Sequence, residues 1–251
     1  MRDIETCVLN PEAVKEAEKM MVCTARLTQR GHKVKNLEDF LNLYNKSYTD
    51  KTKETMVNLP HPTIQKFSVI NVVTIGASRR FLAQITRHQN EVKYMSASLQ
   101  YSDYSGDADF VIPYEMLDKP ELQEKYLQNC RNAMLAYAEI SAESDNDSAG
   151  YAAPQGLKNI LVISATPYQW KHMIGQRICR RNTSETRYVM LRIWQQLFEL
   201  NPALFSSQTT GCFCIKNKCV EGPMGCGKLF SKNDTPTDIL KTDFPLLMEG
   251  N

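Results

Sequence analysis

Between residues 84 and 89 the chain sets an amide, a guanidinium and an imidazole close together, in Gln84-Ile-Thr-Arg87-His88-Gln89. Eleven residues after Arg87 comes Ser98, within Ser96-Ala-Ser98-Leu-Gln100-Tyr101. Cations, amides and hydroxyls at this density are not what a packing helix needs, and they suit the binding of an anion and a cofactor. With Phe81, Leu82 and Ile85 as the buried stripe of a short helix capped by Ser78, the residues Gln84, Arg87 and His88 fall at i, i+3 and i+4 on the neighbouring face. A second cation, Arg177, lies four and three residues beyond Met173 and Ile174, which with Trp170 mark an apolar helix face. A guanidinium aimed at the core side is costly unless paired. It therefore needs an anion, either a structural Asp or Glu or an external one such as a phosphate or a developing enolate.

A different chemistry belongs to Cys212, Cys214, Cys219 and Cys226, four thiols within fifteen residues among Gly and Lys. Such a compact knuckle suits structural zinc, with an iron–sulfur cluster or free and redox thiols as the open alternatives. The remaining cysteines, Cys7, Cys23, Cys130 and Cys179, sit at or near apolar helical positions and are expected in the core.

These groups must be carried by a chain of 251 residues that is 42% hydrophobic. That is enough for one large core with an appendage. No apolar run approaches the length of a membrane span, and Met1-Arg-Asp-Ile-Glu-Thr lacks the apolar core of a signal peptide, so a soluble cytoplasmic protein is expected. A net charge of +2 is too small to argue for bulk nucleic-acid binding. Without an export signal, eight cysteines favour free thiols or metal over disulfides.

The positioning elements follow from caps and periodicity. Asn10 as cap and Pro11 at the first position start a helix with Val14, Ala17 and Met21 inward. A short helix is expected over 37–44, and the Thr- and Lys-rich 47–62 reads as loop. Residues 64–75, rich in Val, Ile and Thr, read as a strand. The helix over 78–88 follows, then a loop or irregular strand over 90–106. A long amphipathic helix runs from 114 to about 141. Residues 160–165 form a short strand, Thr166-Pro167 opens a helix to about 181, and a last helix with Met190, Ile193, Trp194 and Leu197 inward ends near 200.

The order Arg87-His88-Gln89, Ser98, Gln100-Tyr101, then Asp109-Phe-Val-Ile112-Pro113 resembles the Arg-His-Arg, Ser, Arg-Tyr and Ile-Pro signature of the flavin-dependent thymidylate synthases. Gln89 and Gln100 stand where that family has Arg, and the spacer is one residue longer. Pro154, Thr166, Gln176-Arg177 and Asn182-Thr-Ser-Glu185-Thr follow its second motif region, so the resemblance spans most of residues 7 to 200. It implies an α+β fold with a curved, antiparallel-rich sheet and packed helices, over a domain of residues 1–205 with a Cys-rich extension at 206–251. It further implies reductive methylation of dUMP to dTMP with FAD, methylenetetrahydrofolate and NADPH, in a homotetramer whose sites are shared between subunits.

Carried over residue by residue, the resemblance makes Arg177 and Ser98 catalytic. Gln84, Arg87, Ser96, Gln100 and Tyr101 would hold the nucleotide, and Thr28, Arg87, His88, Gln89 and His172 the flavin. Thr28 enters through Thr24-Ala-Arg-Leu-Thr28, which is similar to a flavin-contacting turn, and Thr166 and Tyr168 take further positions near the flavin. Asp147 stands at a family Glu, Gly150 at a nucleotide-contacting Arg and Phe67 at a His. Two other readings stay open: a flavoenzyme of the same fold transferring a one-carbon unit to a different pyrimidine nucleotide, and a non-catalytic zinc-containing binding protein.

Overall fold

A computed structural model describes residues 1–59, 61–106, 108–210, 219, 221–231 and 233–248. Its centre is a four-stranded antiparallel sheet in the order β1-β2-β4-β3, made of β1 (Glu5–Val8), β2 (Ile70–Ser78), β3 (Val92–Ser96) and β4 (Lys158–Ala165). Alternation sets its two faces. Ile70, Val72, Thr74, Leu161, Ile163 and Ala165 point into the core, while Ile75, Ile160 and Met95 on the other face are exposed. Gly76 carries the bulge that shifts the β2–β4 register. Its φ is +77°, and a Cβ there would come within 2.8 Å of the Asp3 carbonyl oxygen, so only glycine fits.

Helices pack around the sheet, with the principal core between its buried face and the helices on that side. The helices are α1 (Pro11–Lys15), α2 (Ala17–Arg30), α3 (Leu37–Tyr44), α4 (Asp50–Val57), α5 (Arg79–Ile85), α6 (Pro120–Glu143), α7 (Asn146–Ala149), α8 (Pro167–Arg177) and α9 (Ser184–Leu200), followed by α10 (Ser207–Thr210), α11 (Pro236–Asp243) and α12 (Pro245–Met248). Trp170 of α8 is fully buried and its indole N–H donates to the Ile70 carbonyl at 3.1 Å, pinning α8 to the end of β2. Helix α9 buries Val189, Met190, Ile193, Trp194 and Leu197. Each such side chain contributes about 1.5–3 kcal/mol by leaving water. Phe230, Ile239, Leu240, Phe244 and Leu247 join this same core, so α11, α12 and the segment around Phe230 pack onto the sheet-and-helix body.

Several local expectations are corrected. The stretch 47–62 contains α4, capped by Thr49 and burying Met56 and Val57 at its end. Residues 62–66 form a 3-10 turn, so the strand starts at Ile70. The segment 90–106 contributes β3, and the long helix begins at Pro120 after a 3-10 turn at 114–116. Asn10 stands at the N-cap of α1 with Pro11 at the first position, but its side chain makes no capping bond: it donates to the Val69 carbonyl at 2.9 Å and accepts from the Asn71 N–H at 2.8 Å, stitching the end of β1 to β2. Cys7 lies on β1 and is exposed, and Cys179 is half-buried, whereas Cys23 and Cys130 are in the core.

Candidate functional site

Ser78 caps α5 as expected, accepting from the Phe81 N–H at 3.1 Å, but the helix stops at Ile85. Arg87 and His88 therefore lie past its end and do not share a helical face with Gln84. The stop has a cause in side chains from elsewhere. The last carbonyls of a helix lack intrahelical partners, and here Arg177 NH2 donates to the Gln84 carbonyl at 2.8 Å while the Tyr94 hydroxyl donates to the Ile85 carbonyl at 2.8 Å. A guanidinium at the negative end of a helix is also favoured electrostatically.

Arg177 ends α8, which begins with Thr166 as cap and Pro167 at the first position, as the sequence predicts, but stops short of residue 181. Its Nε donates to His88 Nε2 at 2.8 Å. That bond requires an unprotonated Nε2, which fixes the proton of a neutral ring on Nδ1. His88 is 6% exposed, and burial, with the Arg177 charge and His172 adding to it, lowers its pKa from 6.5 to about 4. The two imidazoles meet edge to face with centroids 5.8 Å apart. Burial also pushes the Tyr94 phenol up to about 12, with Arg177 opposing.

The choice left open for Arg177 is thus resolved against a structural carboxylate. Its hydrogen-bond partners among the described residues are a neutral imidazole and a backbone carbonyl, and it makes no ion pair there. Burial and the repulsion of nearby Arg87 both lower its pKa. Arg87 itself is exposed. Two guanidiniums held near each other without a carboxylate form a receptor for an anion.

Gln84 is held by residues that sequence reasoning missed. Its Oε1 accepts from Thr186 Oγ1 at 2.8 Å and from Thr183 Oγ1 at 3.1 Å, leaving the amide N–H groups as donors for a ligand. On the other side of His172, a cavity of about 430 Å³ is lined by Lys66, Asn90, Glu91, Tyr168, Gln169 and His172. Lys66 pairs with Glu91 at 2.5 Å and lies 4.9 Å from the Tyr168 ring centre, and Thr166 Oγ1 donates to Glu91 at 3.1 Å. Glu91, with φ of +55°, is the non-glycine residue in the left-handed region among the described residues. Such strain is held in place by the surrounding contacts. Local spacing gave no signal for Lys66, Glu91 or Tyr94.

Ser96, Ser98, Gln100 and Tyr101 are not brought to this cluster within one chain. Ser96 ends β3 two residues past Tyr94 and the other three lie beyond the strand, and no hydrogen bond among the described residues joins any of them to Arg177, His88 or Gln84. Ser98 Oγ accepts from the Gln100 N–H at 3.1 Å, and Gln100 and Tyr101 are exposed, Tyr101 by 84%. Gln89 is exposed beside His88. Thr28 sits in the last turn of α2, not in a turn of its own, with its hydroxyl donating to the Ala25 carbonyl at 2.7 Å. At Gly150 a Cβ would meet Leu99 Cβ at 3.3 Å, a tight contact that a shift of the Leu99 side chain by a few tenths of an ångström relieves.

Of the four thiols expected to hold zinc, Cys212 and Cys214 lie outside the described residues, and Cys219 and Cys226 are half-buried, with Cys226 Sγ 3.5 Å from the Lys228 carbonyl. Among the described residues no group of three or more His, Cys, Asp or Glu is arranged to hold a metal ion. No helix among them is long and apolar enough to cross a membrane.

Comparison with known proteins agrees with the sequence resemblance and the expected fold. A flavin-dependent thymidylate synthase of Thermococcus onnurineus is 28% identical over 193 residues, covering 70% of this chain and 78% of the relative. Another, from Corynebacterium diphtheriae, is 25% identical over 172 residues, covering 62% and 65%. Among solved structures, the UMP/dUMP methylase PolB of Streptomyces cacaoi bound with 5-Br dUMP has the same fold with a TM-score of 0.63 at 12% identity, covering 81% of this chain and 93% of that one. Thymidylate synthase X of Helicobacter pylori with FAD and dUMP gives 0.58 at 14% identity, covering 80% and 97%. The family described as thymidylate synthase complementing protein matches residues 11–203, which hold Gln84, Arg87, His88 and Arg177 alike, and the chain belongs to that enzyme family.

Proposed function

We propose that this protein catalyses the reductive methylation of dUMP to dTMP, with FAD as cofactor, methylenetetrahydrofolate as one-carbon donor and NADPH as reductant, in the cytoplasm. The observation that carries the reading is the pair Arg87 and Arg177: Arg177 is held by a neutral imidazole and a backbone carbonyl, Arg87 is exposed beside it, and neither forms an ion pair with a carboxylate among the described residues. A nucleotide phosphate, or negative charge developing on a pyrimidine ring, completes such a pair. Arg177 serves the reacting pyrimidine, Gln84 presents its amide N–H groups, and Arg87 balances the phosphate.

The residues fit a flavin. His172, Tyr168 and Lys66 offer two aromatic rings and a cation in the cavity, His88 packs against His172 from the Arg177 side, and Arg87, Gln89 and Thr28 would be the remaining contacts. Bound and reduced, the flavin supplies the hydride that turns the transferred carbon into a methyl group. The chain's part is to orient the pyrimidine and hold its charge.

Ser96, Ser98, Gln100 and Tyr101 join the site from a second subunit in a homotetramer, with Ser98 acting beside the partner's reacting pyrimidine. The apolar outer face of the sheet, with Ile75 and Ile160 exposed by 45% and 43% and Met95 by 74%, supports burial against another copy. Residues 1–205 form the catalytic domain and 206–251 a Cys-rich extension to it.

A second reading, methylation of a different pyrimidine nucleotide, is favoured by one feature. Gly150, with Leu99 packed closely against it, offers no side chain where the family resemblance expects a nucleotide-contacting arginine. Titrating the FAD-loaded protein with dUMP and with UMP while following the flavin absorbance separates the two. A dUMP response with dTMP formation supports the first reading, and a response to UMP alone moves the assignment to the second. A protein that binds no flavin loses both and becomes a non-catalytic binding protein.

A further inference from the structure

The turn between α8 and α9 joins Arg177 to Thr183, which holds Gln84, so its placement fixes both ends of the candidate site. That turn is gripped from outside the family-matched region. Asp243, the last residue of α11, takes hydrogen bonds from Arg180 in the turn, Nε to Oδ2 and NH2 to Oδ1, both at 3.0 Å, with Nε also reaching Oδ1 at 3.3 Å. It also takes a short bond from NH2 of Arg187, one turn into α9. Arg187 in turn donates from Nε to the carbonyl of Ile178, the residue directly after Arg177, at 3.3 Å. The side chain of Asp243 is 10% exposed, Arg180 stacks 4.1 Å from the Phe230 ring centre, and Arg187 lies 5.1 Å from that of Phe244.

We propose that Asp243 is a positioning residue for Arg177: one carboxylate from the C-terminal extension bridges Arg180 and Arg187 across the α8–α9 turn and so sets where the Arg177 guanidinium sits. The inference rests on the reading of Arg177 as the group that holds the nucleotide. Removing the charge leaves two neighbouring guanidiniums, one of them buried, without their anion, and they push the turn apart. Displacement of about 1 Å at a reacting centre costs as much as a hundredfold. The extension thereby adds a function to the family domain: it holds an arginine that it does not touch.

The test uses Asp243→Asn in the full chain, with Asp243→Glu as the charge-retaining variant and Asp238→Asn as the control. Asp238 belongs to the capping box of the same helix, accepting from the Thr235 N–H at 3.0 Å, and its loss weakens α11 without touching the arginines. Two readouts are taken: dUMP affinity of the FAD-loaded protein, and the NMR titration of His88 without nucleotide, which senses the Arg177 charge. We expect Asp243→Asn to weaken dUMP on the order of tenfold or more at unchanged flavin affinity, and to raise the pH at which His88 titrates. Asp243→Glu should recover part of both, and Asp238→Asn should lower the melting temperature alone. Arg180→Lys carries the same readouts if the Asn variant does not fold. Wild-type behaviour of Asp243→Asn in both readouts overturns the proposal, as does an equal effect from Asp238→Asn. If the wild type ignores dUMP, the nucleotide assignment fails and the His88 titration alone still decides the positioning role.

Discussion

Replacing His88 with Gln removes a titrating ring yet leaves an acceptor for the Arg177 Nε–H, and the difference from wild type isolates the proton. In the unfolded chain His88 takes up a proton below about pH 6.5, whereas in the folded chain burial and Arg177 postpone this to about pH 4. The folded state thus binds fewer protons between those two values. Its stability is complete above pH 6.5, falls as the pH is lowered at about 1.4 kcal/mol per pH unit, and levels off below pH 4. Over the whole window the loss amounts to ~3 kcal/mol, a sizeable share of a typical domain's stability. The assay is urea denaturation of wild type and His88→Gln at intervals between pH 4 and 7, with carboxylate titrations common to both. The two curves should diverge above pH 4, the wild type gaining about 3 kcal/mol more on the way to neutrality. Parallel curves, or an imidazole NMR titration of His88 near pH 6.5, would show that Arg177 does not rely on a neutral acceptor.

Lys171 is 8% exposed, its Nζ has no hydrogen-bond partner among the described residues, and burial lowers its pKa to about 7. The unfolded chain holds that proton up to a higher pH, so the lysine costs stability most at and below neutrality and least near pH 10. Lys171→Met should raise stability by several kcal/mol at pH 7, and the gain should shrink as pH rises; denaturation at pH 7 and pH 9.5 measures it. Arg177→Ala should abolish turnover while flavin still binds, read from product formation beside flavin absorbance; full activity would remove Arg177 from the site. Thr49→Ala deletes the cap of α4 and should cost about 1 kcal/mol with no change in flavin binding, a result accessible by thermal melting with and without FAD.

How far the sequence was legible depends on the range of the forces involved. Helix α8 was readable because Thr166, Pro167 and the stripe of Trp170, Met173 and Ile174 are local signals, and so was the Ser78 cap of α5. The end of α5 was not. It is set by Arg177 and Tyr94 reaching its last carbonyls, and no pattern within residues 78–88 encodes those partners. The same holds for Gln84, whose restraint by Thr183 and Thr186 crosses about a hundred residues of sequence. Helix α4 escaped notice because its two buried residues, Met56 and Val57, are adjacent and at the end, which leaves no 3.6-residue stripe. Strand β3 alternates weakly, with only Val92 buried, and its place comes from pairing with β4. For Arg177 the helical face indicated a need for an anion, but a choice between carboxylate and ligand required knowing that His88 and Gln84 stand opposite.

The strand order also governs how the molecule comes into being. Central strand β2 finds one neighbour in β1, already synthesised, but its other neighbour β4 lies far downstream, with Thr74 bonded to Leu161 across 87 residues of sequence. Pairings of such separation form slowly, because the intervening chain must first be closed into a loop. During synthesis β2 therefore waits with one edge open until β4 leaves the ribosome, and an open edge is a template for pairing with other chains. The bond between Arg177 and His88 spans 89 residues and can close only once α8 has docked behind β4. Acquisition of an anion-binding centre is then a late event in the life of the nascent chain: a product ending before β4 has neither a complete sheet nor a site, and one ending between β4 and α8 has all four strands but lacks Arg177.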